Sequence, residues 1–219
     1  LAAAIIISED QRPVLEEYVA PKKIHLIPLG ASTVTLIEAE GRLRRDPEPT
    51  HILTVGNWLR DWKFYLDFVD ACRVKHPEWK FSLVNRNLPK EWHERAKAMP
   101  NLEWMRDVDD EVLLAAYAGA GCLFLPLIEA TGNNTVNEAL AMGCPIVTNV
   151  SLGIPNEAQL VTRCDKNLED LASGIICWQS ATPEERTRYR QNAQAAVKEL
   201  DWSVTAAQTL GLYRSVIQS

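Results

Sequence analysis

The loop Ile128–Thr135, which reads IEATGNNT, contains residue types that suit phosphate binding. It also lies directly before a helical pattern and after an apolar segment. Backbone amides at a helix start, together with the positive end of the helix dipole, bind phosphate well. Gly132 would let a phosphate approach the backbone closely. Glu138, in the first or second helical turn, could accept two hydrogen bonds from a ribose diol. Glu129, at the strand end, could do the same for a sugar.

A second polar loop, Gly56–Lys63, reads GNWLRDWK and offers Arg60 and Lys63 as cations for a diphosphate. Each of these residues also has a simpler interpretation. The two cations could be solvated surface charges, Gly132 a tight turn, and Glu138 a group that only favours the helix dipole. Their combination in two adjacent loops is what favours a phosphate-bearing ligand.

The elements that must position these loops follow from the alternation of apolar runs with helical patterns. Strands are predicted at Ala3–Ile7, Ile24–Pro28, Ile52–Val55, Phe81–Val84, Leu102–Met105, Cys122–Leu127, Pro145–Val150 and Gln159–Thr162. Helices are predicted at Trp62–His76, Asp109–Ala118 and Asn134–Met142. A further helix is predicted to begin at the capping box Thr182–Glu185. The last predicted helix, near the carboxy terminus, has Ala206, Leu210, Tyr213 and Ile217 on one face.

This alternation predicts an α/β fold with a doubly wound parallel sheet. The polar stretch Gly30–Thr50 interrupts the alternation and is interpreted as a linker, and residues from His51 onward form a unit of about six strands. In the commonest order of such sheets the first and fourth strands are neighbours, and the ligand binds between the loops that follow them. Those loops are Gly56–Lys63 and Ile128–Thr135, so topology and composition agree on one site.

Overall charge and cysteine content limit the classes of partner and the cellular location that we expect for this protein. The net charge of −6 disfavours general nucleic-acid binding. The five cysteines form no C-x-x-C pair, which indicates buried free thiols in a reducing, cytoplasmic compartment. The apolar start Leu1–Ile7 is too short to span a bilayer and is interpreted as a strand of a longer protein, and any peripheral membrane association would lie outside this sequence. No metal or cofactor is predicted.

Other candidate groups have ordinary interpretations. Asp107-Val-Asp109 could bind a metal, but its acids precede a helix, where they favour the dipole. The four histidines show no ligand spacing. Most of the seven tryptophans are expected to pack in the core, although Trp58, in the first loop, could stack on a sugar or base.

The segment Pro126–Val150, PLIEATGNNTVNEALAMGCPIVTNV, resembles the donor-site signature of the retaining GT-B glycosyltransferases of group 1 (family four type). The blocks Ile52–Lys63, Leu102–Val108 and Asp201–Ile217 are similar to further blocks of that family, in the same order. Ile5–Ser32 resembles the end of the family's amino-terminal domain. The resemblance implies two units, residues 1–48 as the end of that domain with the interdomain linker, and residues 49–219 as a Rossmann-like nucleotide-sugar-binding domain with carboxy-terminal helices.

The resemblance also implies roles for individual residues. Lys63, helped by Arg60, would bind the donor diphosphate, and Glu129 would contact the transferred sugar. Glu138 would hold the ribose hydroxyls. Residues whose backbone would meet the donor are Gly56, Gly132, Asn133, Asn134 and Thr135 at the sugar and phosphates, and Met105, Arg106 and Val108 at the base.

The partners implied are a nucleotide diphosphate sugar as donor substrate, a sugar or other hydroxyl acceptor, and an amino-terminal acceptor domain or partner chain. The sequence departs from the family pattern at three places. Eight residues separate Glu129 from Glu138 where seven are usual, Asn57 replaces a common Arg, and Asn85 replaces a common Gly. The altered glutamate spacing favours one alternative, a non-catalytic module of the same fold that acts with a partner chain. A second alternative, a nucleotide-sugar epimerase, is disfavoured because the blocks above resemble transferases.

Overall fold

A six-stranded parallel sheet with helices on both faces forms the body of the protein. The computed structural model describes residues 2–130, 132–154 and 156–218, so Thr131, within the predicted phosphate-binding loop, lies outside the described residues. The strands are β1 (Ala4–Ile6), β2 (Ile24–Leu26), β3 (Glu48–Val55), β4 (Lys80–Val84), β5 (Leu102–Met105), β6 (Ala120–Leu125), β7 (Ile146–Thr148) and β8 (Val161–Arg163). The helices are α1 (Arg12–Glu16), α2 (Thr33–Leu43), α3 (Trp62–Lys75), α4 (His93–Ala98), α5 (Asp110–Gly119), α6 (Asn134–Ala141), α7 (Glu157–Leu160), α8 (Leu168–Gln179), α9 (Pro183–Lys198) and α10 (Trp202–Ile217).

The sheet has the order β5-β4-β3-β6-β7-β8, and every neighbouring pair is parallel. The first and fourth strands of this unit, β3 and β6, are therefore neighbours, which confirms the doubly wound order predicted from the sequence. The loops that follow these two strands lie at the same edge of the sheet.

Hydrophobic cores cover both faces of the sheet because its central strands are apolar on both sides. On one face Leu53 and Leu125 pack with residues of α5, α6 and α9. On the other face Ile52 and Phe124 pack with residues of α3 and α8. All six residues of β6 are buried, so this strand holds the position of the loop that follows it.

The segment predicted to be a linker, Gly30–Thr50, contains an ordered helix. Helix α2 buries Ala39 and packs against α5, α6 and α9. The carboxylate of Glu40 lies 2.8 Å from Arg44 and 3.3 Å from Arg190 of α9. The contact with Arg190 and the packing of α2 against three helices attach this segment to the folded body of the protein. A further correction concerns the last predicted strand, because residues 157–160 form α7 and only residues 161–163 form β8.

A small second sheet, β1 paired in parallel with β2, lies outside the main one. It has its own cluster of Ile6, Val19 and Ile24. Helix α10 is anchored to the start of α2 by Asp201, whose side chain accepts hydrogen bonds from the amide and hydroxyl of Thr33 at 3.2 and 2.8 Å. The predicted apolar face of α10 is exposed, with Leu210, Tyr213 and Ile217 open to solvent.

Within the described residues, the helices are all too short or too polar to cross a membrane. The cysteines form no disulfide there. Cys72, Cys122 and Cys144 are buried as predicted, whereas Cys164 is half-buried and Cys177 is exposed.

Candidate functional site

The loops after β3 and β6 are joined by backbone hydrogen bonds. The amide of Asp61 donates to the carbonyl of Pro126 at 2.9 Å, and the amide of Ile128 donates to the carbonyl of Leu59 at 2.9 Å. Between these bonds Arg60 and Leu127 form an antiparallel bridge. The two predicted ligand loops are thus fixed relative to each other.

Arg60 lies at the base of the crevice between the loops. Its side chain donates to the carbonyl of Val55 through Nε at 3.1 Å and Nη2 at 2.7 Å, and to the carbonyl of Trp58 through Nη1 at 2.8 Å. Nη2 also lies 3.4 Å from the hydroxyl oxygen of Thr135. Burial lowers the pKa of Arg60 to about 10, so the guanidinium is still charged at neutral pH.

Within the described part of the chain, no carboxylate lies within ion-pairing distance of this buried charge. Among the ion pairs within residues 2–130, 132–154 and 156–218, Arg60 takes part in none. A buried cation without a counter-ion is costly unless an anion pairs with it. The environment of Arg60 therefore suits an anionic ligand.

Gly56 makes room for this guanidinium. Its φ of 101° lies in the left-handed region, and a β-carbon there would lie 2.6 Å from Nη2 of Arg60. The positive φ strains any residue with a β-carbon at this position, and such a residue would also displace the guanidinium.

The amino-terminal end of helix α6 lies beside Arg60. Asn133 caps the helix, its side-chain oxygen accepting from the amide of Thr135 at 3.1 Å. In the part of the chain that the structure describes, the amides of Gly132, Asn133 and Asn134 have no hydrogen-bond acceptor. The predicted start of the helix is confirmed, and its positive end faces the crevice with unused donors.

The crevice contains a cavity of about 210 Å³. Both loops line it, as do the first residues of α6; its lining residues are Gly56, Asn57, Trp58, Leu59, Arg60, Glu129, Ala130, Gly132, Asn133, Asn134 and Thr135. Seven predicted site residues, Gly56, Arg60, Glu129, Gly132, Asn133, Asn134 and Thr135, are thus brought together around one opening.

Gly132 is required for a reason additional to ligand approach. Its φ is 55°, and a β-carbon there would lie 2.5 Å from Cδ1 of Ile7. The amino-terminal segment after β1 therefore packs directly against the loop that opens α6. The sequence does not reveal this contact, because Ile7 and Gly132 are far apart along the chain.

The structure does not bring Lys63 into the cavity. Its ammonium group lies 2.7 Å from Asp67, one helical turn along α3, and its side chain is 73% exposed. Asp67 also pairs with Arg95 at 2.7 Å. Lys63 thus belongs to a surface ion-pair cluster, and Arg60 is the cation that faces the helix start.

Glu138 lies one turn into α6, next to the cavity. It is half-buried, and its Oε2 accepts a 2.9 Å hydrogen bond from the hydroxyl of Tyr117. Burial raises the pKa of Glu138, and the nearby charge of Asp110 adds to the effect, while the Tyr117 hydrogen bond opposes it. Tyr117 is fully buried, which raises its own pKa and keeps its hydroxyl a donor.

The predicted base-contacting residues are the last residue of β5 and residues of the loop after it, and they lie outside the cavity. The carbonyl of Met105 accepts from the amide of Asn85 at 3.1 Å. The guanidinium of Arg106 lies 5.1 Å from the ring centre of Trp104 and is exposed, and Val108 is half-buried. The loop after β5 leads into α5, whose first residue, Asp110, is close enough to Glu138 to raise the pKa of that carboxyl.

A second cavity of about 630 Å³ adjoins the first. It shares Glu129 and Ala130 with it, and its other lining residues are Asp10, Gln11, Val14, Leu15, Ile128, Val150 and Ser151. The amino-terminal segment therefore forms one wall of a larger space that opens beside Glu129.

Three residues that position the site were missed from the sequence. The Asn149 side chain accepts from the amide of Leu127 and donates to its carbonyl, both at 2.8 Å. The Asn85 side chain donates to the carbonyl of Gly56 at 2.8 Å. Tyr117 holds Glu138. Asn149 follows a buried strand, which is the one local signal that could have indicated a positioning role.

Asp109 has the ordinary role predicted for it. Its side chain accepts from the amide of Val112 at 2.8 Å and caps α5. Over the described ranges, no three His, Cys, Asp or Glu side chains come together as a metal-binding group.

Comparison with known proteins gives the family. The model described as glycosyl transferases group 1 matches residues 49–179. This chain belongs to that family. The match includes both loops of the cavity and helix α6.

One curated relative of the family is the MMP alpha-(1->4)-mannosyltransferase of Mycolicibacterium hassiacum, which is 26% identical over 214 residues, covering 91% of this chain and 50% of the relative. The chain thus spans about half the length of the curated relative it matches. Among solved structures, the UDP-forming alpha,alpha-trehalose-phosphate synthase from Burkholderia xenovorans matches with a TM-score of 0.76 at 13% identity, covering 98% of this chain and 61% of that one. The sucrose-phosphate synthase from Thermosynechococcus elongatus matches with a TM-score of 0.76 at 20% identity, covering 98% and 58%. These likenesses show that the fold of this chain is that of a part of each larger protein.

Proposed function

We propose that this chain is the donor-binding part of a retaining glycosyltransferase and holds a nucleoside diphosphate sugar in the cavity beside Arg60. One observation carries the proposal. A buried guanidinium without an acid partner faces the unused amides that open α6. A diphosphate matches both groups in charge and hydrogen bonding.

The remaining donor parts follow from this placement. Glu138, one turn into α6 and held by Tyr117, would accept hydrogen bonds from the ribose hydroxyls. The base would lie toward Met105–Val108. The transferred sugar would lie at the other end of the diphosphate, beside Glu129, where the second cavity offers room for a hydroxyl acceptor.

In the reaction, the bond between the sugar carbon and the diphosphate oxygen breaks, and its electron pair leaves with the phosphate. Arg60 and the amides of α6 stabilise the charge that develops there. The acceptor oxygen forms a bond to the same carbon and passes its proton to the departing diphosphate oxygen. Glu129 would stabilise positive charge on the sugar. An acceptor domain preceding residue 49, or a partner chain, would complete the second cavity.

Retention of configuration is part of this proposal. The name of the Mycolicibacterium hassiacum relative gives an alpha linkage in its product. When an alpha-linked donor yields an alpha-linked product, the configuration at the sugar carbon is retained. Proton NMR of the product formed by the full-length protein tests this point, since a beta-linked product would contradict it.

Isothermal titration calorimetry with a panel of nucleoside diphosphates tests the binding step. We expect one of the diphosphates to bind the wild-type chain, and the corresponding monophosphate to bind more weakly because it lacks one charged group. Absence of heat with every nucleoside diphosphate would exclude the proposal.

A non-catalytic module is the second candidate. The position of Lys63 outside the cavity favours it, because Arg60 is then the one cation among the described lining residues that would face the diphosphate. The two candidates differ in turnover. Release of nucleoside diphosphate from a nucleotide sugar by the full-length protein supports the enzyme, whereas tight binding without release supports the module.

A further inference from the structure

Trp58 is the most exposed tryptophan among the described residues, and it lies at the opening of the cavity. Its side chain is 80% exposed, and it lines the cavity with Glu129 and Asn133. Within the described ranges, its indole makes no ring–ring or cation–ring contact, and its Nε1 donates no hydrogen bond. An indole with both an apolar face and an unused donor is equipped to bind a ligand.

The backbone that carries Trp58 is held in place. Its carbonyl accepts from Nη1 of Arg60 at 2.8 Å. The carbonyl of Leu59 accepts from Ile128, and the side chain of Asn57 accepts from the amide of Asn87 at 3.1 Å. The exposure of the indole is therefore a consequence of a fixed loop conformation.

This conformation is strained. Leu59 has a φ of 54°, a region that residues with a β-carbon adopt only at a cost, and Gly56 has a φ of 101°. Two left-handed residues thus flank the turn that directs Trp58 outward. Such strain persists where the surrounding contacts enforce it, and it is concentrated at ligand-binding sites.

The polarity of the site indicates which part of a ligand would meet the indole. Under the proposed function, the diphosphate would lie between Arg60 and the start of α6, and the nucleoside would extend toward Glu138, which does not line the cavity. Trp58 and Glu129 line the cavity together. With that placement they would meet the group at the other end of the diphosphate.

We infer that Trp58 stacks against the apolar face of the donor's sugar ring and thereby sets the preference of the site for a hexose-bearing nucleotide over the bare nucleotide. This inference rests on the proposed function. The indole face would contact the ring C–H groups, and Nε1 could donate to a ring hydroxyl. Trp58 would act as a binding and specificity residue.

The test compares two ligands and three variants by calorimetry. The ligands are the nucleoside diphosphate that binds the wild-type chain and the corresponding nucleoside diphosphate hexose. The variants are Trp58→Ala, Trp58→Phe and, as a control, Tyr18→Ala, which removes an aromatic ring that is 78% exposed and lines neither cavity. Because Trp58 is exposed, its truncation leaves no void in the core, and thermal melting of each variant verifies the fold.

We expect Trp58→Ala to weaken binding of the sugar nucleotide by about five- to tenfold, with the nucleoside diphosphate affected less than about twofold. Trp58→Phe should recover most of the loss, and Tyr18→Ala should match the wild type. Equal losses for both ligands would place the indole on the nucleotide and overturn the inference, as would no loss for either. If the wild-type chain binds no nucleoside diphosphate, the proposed function itself fails.

Quenching of tryptophan fluorescence measures the contact between Trp58 and the sugar independently of calorimetry. The chain has seven tryptophans, so the signal of Trp58 is the difference between the wild type and Trp58→Phe. The nucleoside diphosphate hexose should protect this difference signal from acrylamide quenching, whereas the nucleoside diphosphate should not. Equal accessibility with and without the sugar nucleotide would overturn the inference.

Discussion

Nη2 of Arg60 and the hydroxyl oxygen of Thr135 lie 3.4 Å apart, and this contact joins the loop after β3 to the first turn of α6. Both side chains are buried. The contact places a guanidinium at the positive end of a helix dipole, where two positive groups face one opening. Such an arrangement is favourable when an anion binds between them.

Replacement of Arg60 should therefore affect binding more than replacement of Lys63. We expect Arg60→Lys to weaken binding of nucleoside diphosphate by about tenfold or more, because a lysine cannot reproduce the planar set of donors. Lys63→Ala should change the affinity by less than about threefold, since its ammonium group pairs with Asp67 at an exposed position.

Calorimetry on both variants measures this difference. Lys97→Ala, which removes another exposed lysine paired with an acid, is the control for loss of surface charge. A larger loss for Lys63→Ala than for Arg60→Lys would show that Lys63 holds the diphosphate, as the resemblance to the family implies.

Gly132→Ala should destabilise the protein and weaken the ligand site together. The φ of 55° and the 2.5 Å approach to Ile7 both oppose a β-carbon. We expect a loss of about 1–3 kcal/mol in the free energy of unfolding. Urea unfolding measures the stability.

Gly211→Ala is the matched control, because a β-carbon there meets nothing within 4 Å. In helix α10 this change should be neutral or stabilise by up to about 1 kcal/mol. Equal effects of the two substitutions would contradict the packing of the amino-terminal segment against the ligand loop.

Much of the site could be predicted from the sequence because it depends on local patterns. The apolar runs set the order of the sheet, and Asn133 followed by an apolar stripe marks the start of α6. The position of the Lys63 side chain could not be predicted, since it depends on Asp67 and Arg95, which the fold brings together. The exposure of Trp58 depends on the left-handed conformation of Leu59, for which the sequence carries no signal.

Helix α2 is a second feature that the sequence did not predict. The segment around it is polar, which indicates a linker, but the helix itself is amphipathic, and its Leu36, Ile37 and Leu43 pack against the core. The structure pairs Glu40 with Arg44 in the same helix and with Arg190, which is 150 residues away along the chain. Long-range ion pairs of this kind leave no periodic pattern in the sequence.

Glu138→Gln should raise stability and lower ligand affinity. Burial raises the pKa of this carboxyl above its ordinary value of 4.5, so the unfolded state loses the proton first as pH rises. Glu138 therefore costs stability above pH 4.5, and the cost is complete once pH exceeds the folded-state pKa.

Thermal unfolding as a function of pH measures this effect. The stability advantage of Glu138→Gln should be absent below about pH 4 and grow toward pH 7. The same variant should bind nucleoside diphosphate more weakly at neutral pH, because the charged acceptor of the ribose hydroxyls is lost. A constant stability difference across the pH range would contradict the raised pKa.

Asp201→Ala should loosen the attachment of α10. Hydrogen bonds from Ser203 and Thr33 hold the pKa of Asp201 well below its ordinary value of 3.8. The stability that this carboxylate contributes is present above pH 3.8 and is lost as pH falls below it. Urea unfolding should show a loss of stability at neutral pH that shrinks toward about pH 2.

Hydrogen exchange of the α10 amides gives a second measurement, and Asp165→Ala, which removes an exposed acid, is the control. Faster exchange in α10 should accompany Asp201→Ala alone. If both variants exchange equally, Asp201 does not anchor the helix.

A crystal structure of the chain with the nucleoside diphosphate identified by calorimetry tests the central claim most directly. The account predicts both phosphorus atoms in the cavity between the loops, with phosphate oxygens within hydrogen-bonding distance of the Arg60 guanidinium and of the amides that open α6. A diphosphate bound elsewhere on the molecule, or a cavity that stays empty at saturating ligand, would contradict it.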